Sequence, residues 1–260
     1  MIKIRNLWKQ FGALQVLAGM DLDVSSGETL VILGPSGIGK SVLLKHIIGL
    51  LRPDDGSIDI DGVIITDLTG PDLFKSIRNM GMLFQGGALF DSMSVEENAA
   101  FYLHEHGAPD TGKKVSAAEI KDRVSHALEL VGLAGTQKKM PAELSGGMRK
   151  RAALARVIVY RPQIVLYDEP TTGLDPIIAM QINELIVKTQ EELKATSIVV
   201  THDMFSALYV GNRLALIRDG KIAHIAEPDA FLKIDDPLIK FLYTTISKDP
   251  RTVKEKYHHG

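Results

Sequence analysis

The chain has 260 residues with a formal net charge of −2; that length allows one or two domains and a sizeable core, and the even charge balance speaks against a general nucleic-acid binder, which shows a basic excess. Its 45% hydrophobic and 24% charged residues are ordinary for a globular protein. Cysteine is absent, which excludes disulfides, thiol nucleophiles and cysteine-ligated metal or iron–sulfur sites.

Ile2, Ile4 and Leu7 alternate with polar residues until Gly12, and Met20, Leu22 and Val24 share one face of residues 17–24; both segments read as half-buried antiparallel strands. After the Ser26-Gly27 turn, residues 29–33 form a continuous apolar run, suited to a strand covered on both faces. A glycine-rich loop over 34–39 leads into a predicted helix over 40–51, closed by Arg52-Pro53. Alternation over 57–62 suggests a hairpin strand, and 77–84 contains another. The polar stretch 101–116, with Gly107, Pro109 and Gly112, reads as a loop. Ile120, Val124, Leu128 and Val131 then recur at helical spacing. Apolar strands follow over 164–167, 198–201 and 214–217, with a helix over 178–193 between the first two. Strand, glycine loop and helix, followed by alternating strands and helices, predict an α/β fold with a parallel core. An antiparallel layer stands at its side, and the stretch from about 101 to 161 reads as a helical insertion. No apolar run approaches the roughly 20 residues that span a bilayer, and Lys3 and Arg5 interrupt any secretory signal. Work at a membrane would therefore be that of a peripheral subunit.

Gly34-Pro35-Ser36-Gly37-Ile38-Gly39-Lys40-Ser41 matches the phosphate-loop pattern G-x-x-x-x-G-K-[ST], after a predicted strand and before a predicted helix. Its glycines let backbone N–H groups converge on phosphate oxygens, and the helix adds its positive dipole end. In that chemistry Lys40 reaches the β- and γ-phosphates and Ser41 coordinates Mg²⁺. A second buried strand delivers Asp168-Glu169 at its C-terminal end, where sites form in parallel sheets. Asp168 would hold Mg²⁺ and Glu169 would orient, or take a proton from, the attacking water. Ser145-Gly146-Gly147 opens another helix, with a capping hydroxyl and exposed N–H groups that suit a second anion.

Through Leu144-Ser145-Gly146-Gly147-Met148, together with the phosphate loop and the acid pair, the chain resembles the ATP-binding subunits of ABC transporters over nearly its whole length. The resemblance implies a P-loop NTPase (ABC ATPase) fold with a RecA-like parallel sheet core, an antiparallel β lobe and a helical subdomain. The ATPase domain would cover 1–246 and a tail 247–260. Met148 departs from the family's usual glutamine, but phosphate contact depends on the serine hydroxyl and glycine N–H groups. In the family two subunits pair head to tail, so Ser145, Gly146 and Gly147 would act on ATP held by the other copy of a homodimer. Gln85 matches the Q-loop glutamine that senses Mg²⁺ and the attacking water, and Asp175 falls in the D-loop. His202 matches the switch histidine that contacts the γ-phosphate. Phe11 sits where an aromatic stacks on adenine, with Trp8 as the competing candidate.

The wording is similar to one branch, the Mla-type (MCE-associated) phospholipid transport ATPase, above all in Met148 and in Gly87-Ala88-Leu89-Phe90-Asp91 after the Q-loop. That resemblance implies ATP and Mg²⁺ as cofactors, transmembrane permease subunits and an MCE-domain subunit as partners, no nucleic acid, and a peripheral place on the cytoplasmic face of the bacterial inner membrane. Leu89 and Phe90 would either meet a permease helix or pack in the core. The rival class, a soluble ABC ATPase of DNA repair or translation, usually carries a long coiled-coil insertion, zinc cysteines or two cassettes, and none of these is seen. His104-Glu105-His106 and His258-His259 read as solvated rather than metal-binding. The tail beyond Lys248 is expected to dock on a neighbouring subunit.

Overall fold

The structure, a computed structural model, describes residues 1–109 and 111–244; the expected tail function and His258-His259 lie outside the described residues. In chain order the elements are β1 (Ile2–Phe11), β2 (Leu14–Val24), β3 (Thr29–Leu33), α1 (Lys40–Ile47), β4 (Asp55–Ile60), β5 (Val63–Ile64), α2 (Gly70–Ile77) and β6 (Met80–Leu83). Three helices follow, α3 (Val95–His106), α4 (Ala117–Leu130) and α5 (Gly146–Ile158). The chain then forms β7 (Ile164–Asp168), α6 (Pro176–Leu193), β8 (Thr196–Thr201), α7 (Met204–Val210), β9 (Arg213–Arg218), β10 (Lys221–Ala226), α8 (Pro228–Phe231) and α9 (Pro237–Thr244).

Two sheets result. One is antiparallel in the order β2-β1-β4-β5; the other runs β10-β9-β3-β8-β7-β6, parallel throughout except for the β9–β10 hairpin. The continuous apolar runs are explained by the period-2 geometry of strands. On β3, Val31 and Leu33 enter the core shared with the helices, whereas Leu30 and Ile32 enter the core under the antiparallel lobe. Val165 and Tyr167 of β7 likewise face one core and Ile164 and Leu166 the other. Tyr167 is fully buried, which pushes its phenol pKa up.

The order β3-β8-β7-β6 is what assembles the site. It lines up four loops at the C-terminal ends of neighbouring parallel strands: the phosphate loop after β3, His202 after β8, Glu169 after β7 and Gln85 after β6.

One expectation is corrected. The stretch 101–116 is not a loop throughout, because α3 continues to His106. Its buried face is built from the small residues Ala99 and Ala100 with Asn98 and Leu103, so the apolar periodicity is weak. The signal lies earlier in the chain: Ser94 and Glu97 form a reciprocal capping box, and Gly107 at φ 71 ends the helix. The first helix also stops short of the predicted 51, at Ile47, where Gly49 turns left-handed and the N–H of Leu50 bonds back to the Lys45 carbonyl.

Helix α9 is anchored by Asp236. Its carboxylate accepts from the N–H of Leu238 (2.8 Å), from Arg218 (2.7 Å) and from His224 (3.0 Å). Burial pushes this carboxyl up, but those hydrogen bonds outweigh it and hold the pKa at about 2, below the ordinary 3.8. A depressed acid stabilises the fold above its unfolded pKa and loses that contribution as the folded form is protonated. The Tm advantage of the wild type over Asp236→Asn is therefore expected to be full near pH 6 and to shrink between about pH 4 and pH 2. An advantage that stays constant over that range in a thermal-melt series would contradict the assignment.

Candidate functional site

The phosphate loop is folded by local chemistry. Gly39 sits at φ 108 and is the N-cap of α1, a backbone state open to glycine and strained for other residues. Ile38 packs downward onto the core under the antiparallel lobe, leaving Ser36 and Gly37 exposed. Lys40 curls back over the loop: its ammonium donates to the carbonyls of Gly34 (2.7 Å) and Pro35 (3.0 Å). It also lies 3.1 Å from the Glu169 carboxylate, with both side chains buried.

Glu169 is the centre of the arrangement. One carboxylate oxygen faces Lys40, and the other accepts from the Thr172 hydroxyl (2.9 Å) and from His202 Nδ1 (2.9 Å). A carboxylate only accepts, so the contact assigns the proton to Nδ1 of His202. Beside this group Ser41 Oγ donates to Asp168 Oδ1 at 2.6 Å. A hydroxyl and a carboxylate oxygen this close, next to an anion cradle, form a donor set that fits a hard divalent cation such as Mg²⁺.

A cavity of about 340 Å³ is lined by Phe11, Ser36, Gly37, Gly39, Lys40, Ser41, Gln85, Glu169 and His202, together with Leu14, Val16, Val42 and Thr172. Most of the predicted site residues thus share one space, although they are scattered over some two hundred positions of sequence. Phe11, not Trp8, lines it. The Trp8 indole donates to Asn6 Oδ1 (2.8 Å) and its ring lies against Gly19. Phe11 is 45% exposed at the end of β1, with the Lys9 ammonium 5.4 Å from its ring centre.

Ser145, Gly146, Gly147 and Asp175 do not line this cavity. Ser145 caps α5 by accepting from the Met148 N–H (3.3 Å), which leaves its own O–H free to donate. The N–H groups of Gly146 and Gly147, in the first turn, have no intrahelical acceptor. Asp175 caps α6, accepting from the N–H groups of Ile177 and Ile178. The two helix starts touch at one point: a Cβ on Gly147 would lie 2.6 Å from Ile178 Cγ2, whereas one on Gly146 would meet nothing nearer than 3.9 Å. Gly147→Ala is therefore expected to cost about 1–3 kcal/mol through overpacking, and Gly146→Ala close to nothing. Thermal melts of both variants check this, and equal melting would refute the close approach.

Thr172, Leu14 and Val16 escaped the sequence reading. For Thr172 a signal existed: Glu169-Pro170-Thr171-Thr172 closes a turn in which the Thr172 N–H bonds the Glu169 carbonyl (3.2 Å), with Pro at its favoured second position. That turn folds the hydroxyl back onto the carboxylate. Leu89 packs partly buried against the core and Phe90 lies under Arg156, 4.4 Å from its guanidinium. Neither lines the nearby groove of about 260 Å³, which is walled by Phe84, Gly87, Ala88, Tyr102, Arg156 and Tyr160 among others. His104, Glu105 and His106 are exposed, and no cluster of three metal-ligating side chains occurs among the described residues. A cavity of about 960 Å³ between α3 and α4 shares no residue with the site. No described helix is long and apolar enough to cross a membrane.

A family model described as ABC transporter matches residues 17–172. The chain is 44% identical over 239 residues to a probable ribonucleotide transport ATP-binding protein of Mycobacterium leprae, covering 92% of this chain and 67% of the relative, so it spans about two thirds of that protein. It is 40% identical over 243 residues to the intermembrane phospholipid transport system ATP-binding protein of Haemophilus influenzae, covering 93% of this chain and 90% of the relative. Among solved structures, a dimeric ATP-binding cassette in a post-hydrolysis state with ADP and phosphate superposes with a TM-score of 0.79 at 32% identity, over 88% of this chain and 99% of the cassette.

Proposed function

Because the chain belongs to the ABC transporter family and is an ATPase of that family, we propose that it works as one half of a homodimer that powers phospholipid movement through membrane permease subunits. The observation that carries the ATPase chemistry is the single cavity shared by Phe11, the phosphate loop, Gln85, Glu169 and His202. Phe11 takes the adenine face, helped by Leu14 and Val16. The N–H groups of residues 36–41 and the Lys40 ammonium take the phosphates. Arrival of the γ-phosphate draws Lys40 from Glu169 Oε1, and the freed oxygen accepts a proton from the attacking water. Thr172 and His202 hold the other oxygen, so the carboxylate keeps its aim. Water bonds to the γ-phosphorus as the bond to the β-bridging oxygen breaks, leaving ADP and phosphate. Ser41, Asp168 and Gln85 would hold Mg²⁺, which neutralises phosphate charge when bound.

Ser145, Gly146 and Gly147 lie outside their own subunit's cavity, which supports their acting on ATP held by the partner copy. Ile177, 74% exposed beside Asp175, gives that pairing face an apolar contact. The groove walled by Gly87, Ala88 and Tyr102 suits a permease helix. An MCE-domain subunit and a peripheral place on the cytoplasmic face of the inner membrane complete the reading.

Phospholipid is favoured over ribonucleotide because the phospholipid-system relative matches almost end to end, whereas the ribonucleotide-named relative extends well beyond the match. The test is to isolate the chain with its membrane partners and identify co-purifying ligands by mass spectrometry. Permease chains with bound phospholipid are expected. Bound ribonucleotide other than ATP or ADP, or recovery with ribosomes or DNA instead of a permease, would overturn the transport substrate or the transport role respectively.

A further inference from the structure

We propose that Lys150 is a positioning residue for hydrolysis: its buried ammonium ties the backbone at Gln85 to the backbone at Glu169, so that both side chains are presented to the same water. The inference rests on the ATPase reading above. Lys150 stands in the second turn of α5, is only 7% exposed, and donates to the Gln85 carbonyl at 2.6 Å and the Glu169 carbonyl at 3.3 Å.

The place of these carbonyls explains the need for the tie. β6 and β7 are parallel neighbours whose last paired residues are Leu83 and Tyr167. Gln85 and Glu169 lie just past that point, where the ladder no longer sets their spacing. Glu169 also sits at φ 47, in the left-handed region that a residue with a Cβ avoids. Such a conformation persists only where surrounding bonds over-determine it. Here the Glu169 N–H is held by the Val200 carbonyl (3.0 Å), and its carbonyl accepts from the Thr172 N–H and from Lys150.

A direct role on the phosphates does not fit, because Lys150 does not line the cavity and its ammonium is directed at the two carbonyls. Burial holds the Lys150 pKa below its ordinary value, and the nearby Asp168 and Glu169 charges offset part of that shift. Lys150 also shares one rigid helix with Ser145, Gly146 and Gly147. Engagement of that helix end by a phosphate and placement of the Glu169 peptide are thereby carried by a single element.

The experiment compares the full chain with its Lys150→Met and Lys150→Gln variants, using Mg-ATP as substrate and counting ATP-binding sites with a fluorescent ATP analogue. Methionine keeps most of the unbranched stem and removes the donor; glutamine, of similar length to methionine, restores an N–H donor. Lys150→Met is expected to lower kcat per ATP-binding site by about 10- to 100-fold, the scale of a small misplacement at a reacting centre. KM for ATP should stay within about threefold, since the groups that hold the nucleotide are untouched. Lys150→Gln should recover most of the lost kcat. A merely structural lysine would lower Tm and the number of competent sites while leaving kcat per site alone. If Lys150→Met is not recovered folded, Lys150→Ala gives the same comparison. A kcat per site equal to wild type in the donor-free variant overturns the inference, as does a large rise in KM with kcat kept. A wild-type chain that binds but never hydrolyses ATP would instead overturn the ATPase reading itself.

Discussion

Glu169→Gln lowers steady-state ATP hydrolysis by about 10²- to 10⁴-fold, the range that loss of a general base commands, while ATP remains bound. The reason is the acceptor inventory of the site. The carboxylate receives Lys40, Thr172 and His202 and still offers lone pairs to a water proton. The amide has one oxygen, so it cannot serve those donors and also accept the proton. Removing the Glu169 charge also releases Lys40 from its competing partner, so ATP affinity should be unchanged or tighter. Size-exclusion chromatography with Mg-ATP should then trap a closed dimer. Normal turnover in this variant would remove Glu169 as the base.

Lys40→Ala acts on the opposite side of the same contact. It should lower ATP affinity or turnover by at least about 10²-fold, the scale seen when one preorganised donor to a developing oxyanion is lost. The loss should also reach the fold. Lys40 and Glu169 are buried at 4% and 9% side-chain exposure, and removing one member of a buried pair costs roughly 3–5 kcal/mol where nothing replaces it. Thr172 and His202 remain on the carboxylate, so the measured drop should be smaller than that range. Fluorescent-nucleotide titration and thermal unfolding of the same preparation separate the two effects. Wild-type values for both affinity and turnover would overturn the phosphate-loop assignment.

Much of the architecture was legible because its signals are local. The apolar run at β3, the glycine loop and the helix that follows are set by burial on both faces and by backbone freedom within about twenty residues. The helix start at Ser145 was legible as a cap for the same reason, whereas the capping role of Asp175 emerged only in the structure. α3 was missed because a face of alanines and one asparagine leaves little periodicity, although its capping box stood in plain view. Thr172 was missed although the Glu169-Pro170-Thr171-Thr172 turn is local, because a turn pattern does not by itself show that the hydroxyl folds back onto the carboxylate three residues earlier.

The sequence by itself determined the chemistry available: one anion cradle, an acid pair after a buried strand, a second helix start able to hold a phosphate, and no cysteine. Those follow from residue types at short spacing. Only the tertiary structure decided which groups meet. Lys40 reaches Glu169, 129 positions further along the chain, because β8 places β3 and β7 on its two sides. Lys150, flanked by Arg149 and Arg151 in the sequence, turns inward to two carbonyls. Strand order and helix docking arise from long-range burial and hydrogen bonding, and no local period in the chain encodes them.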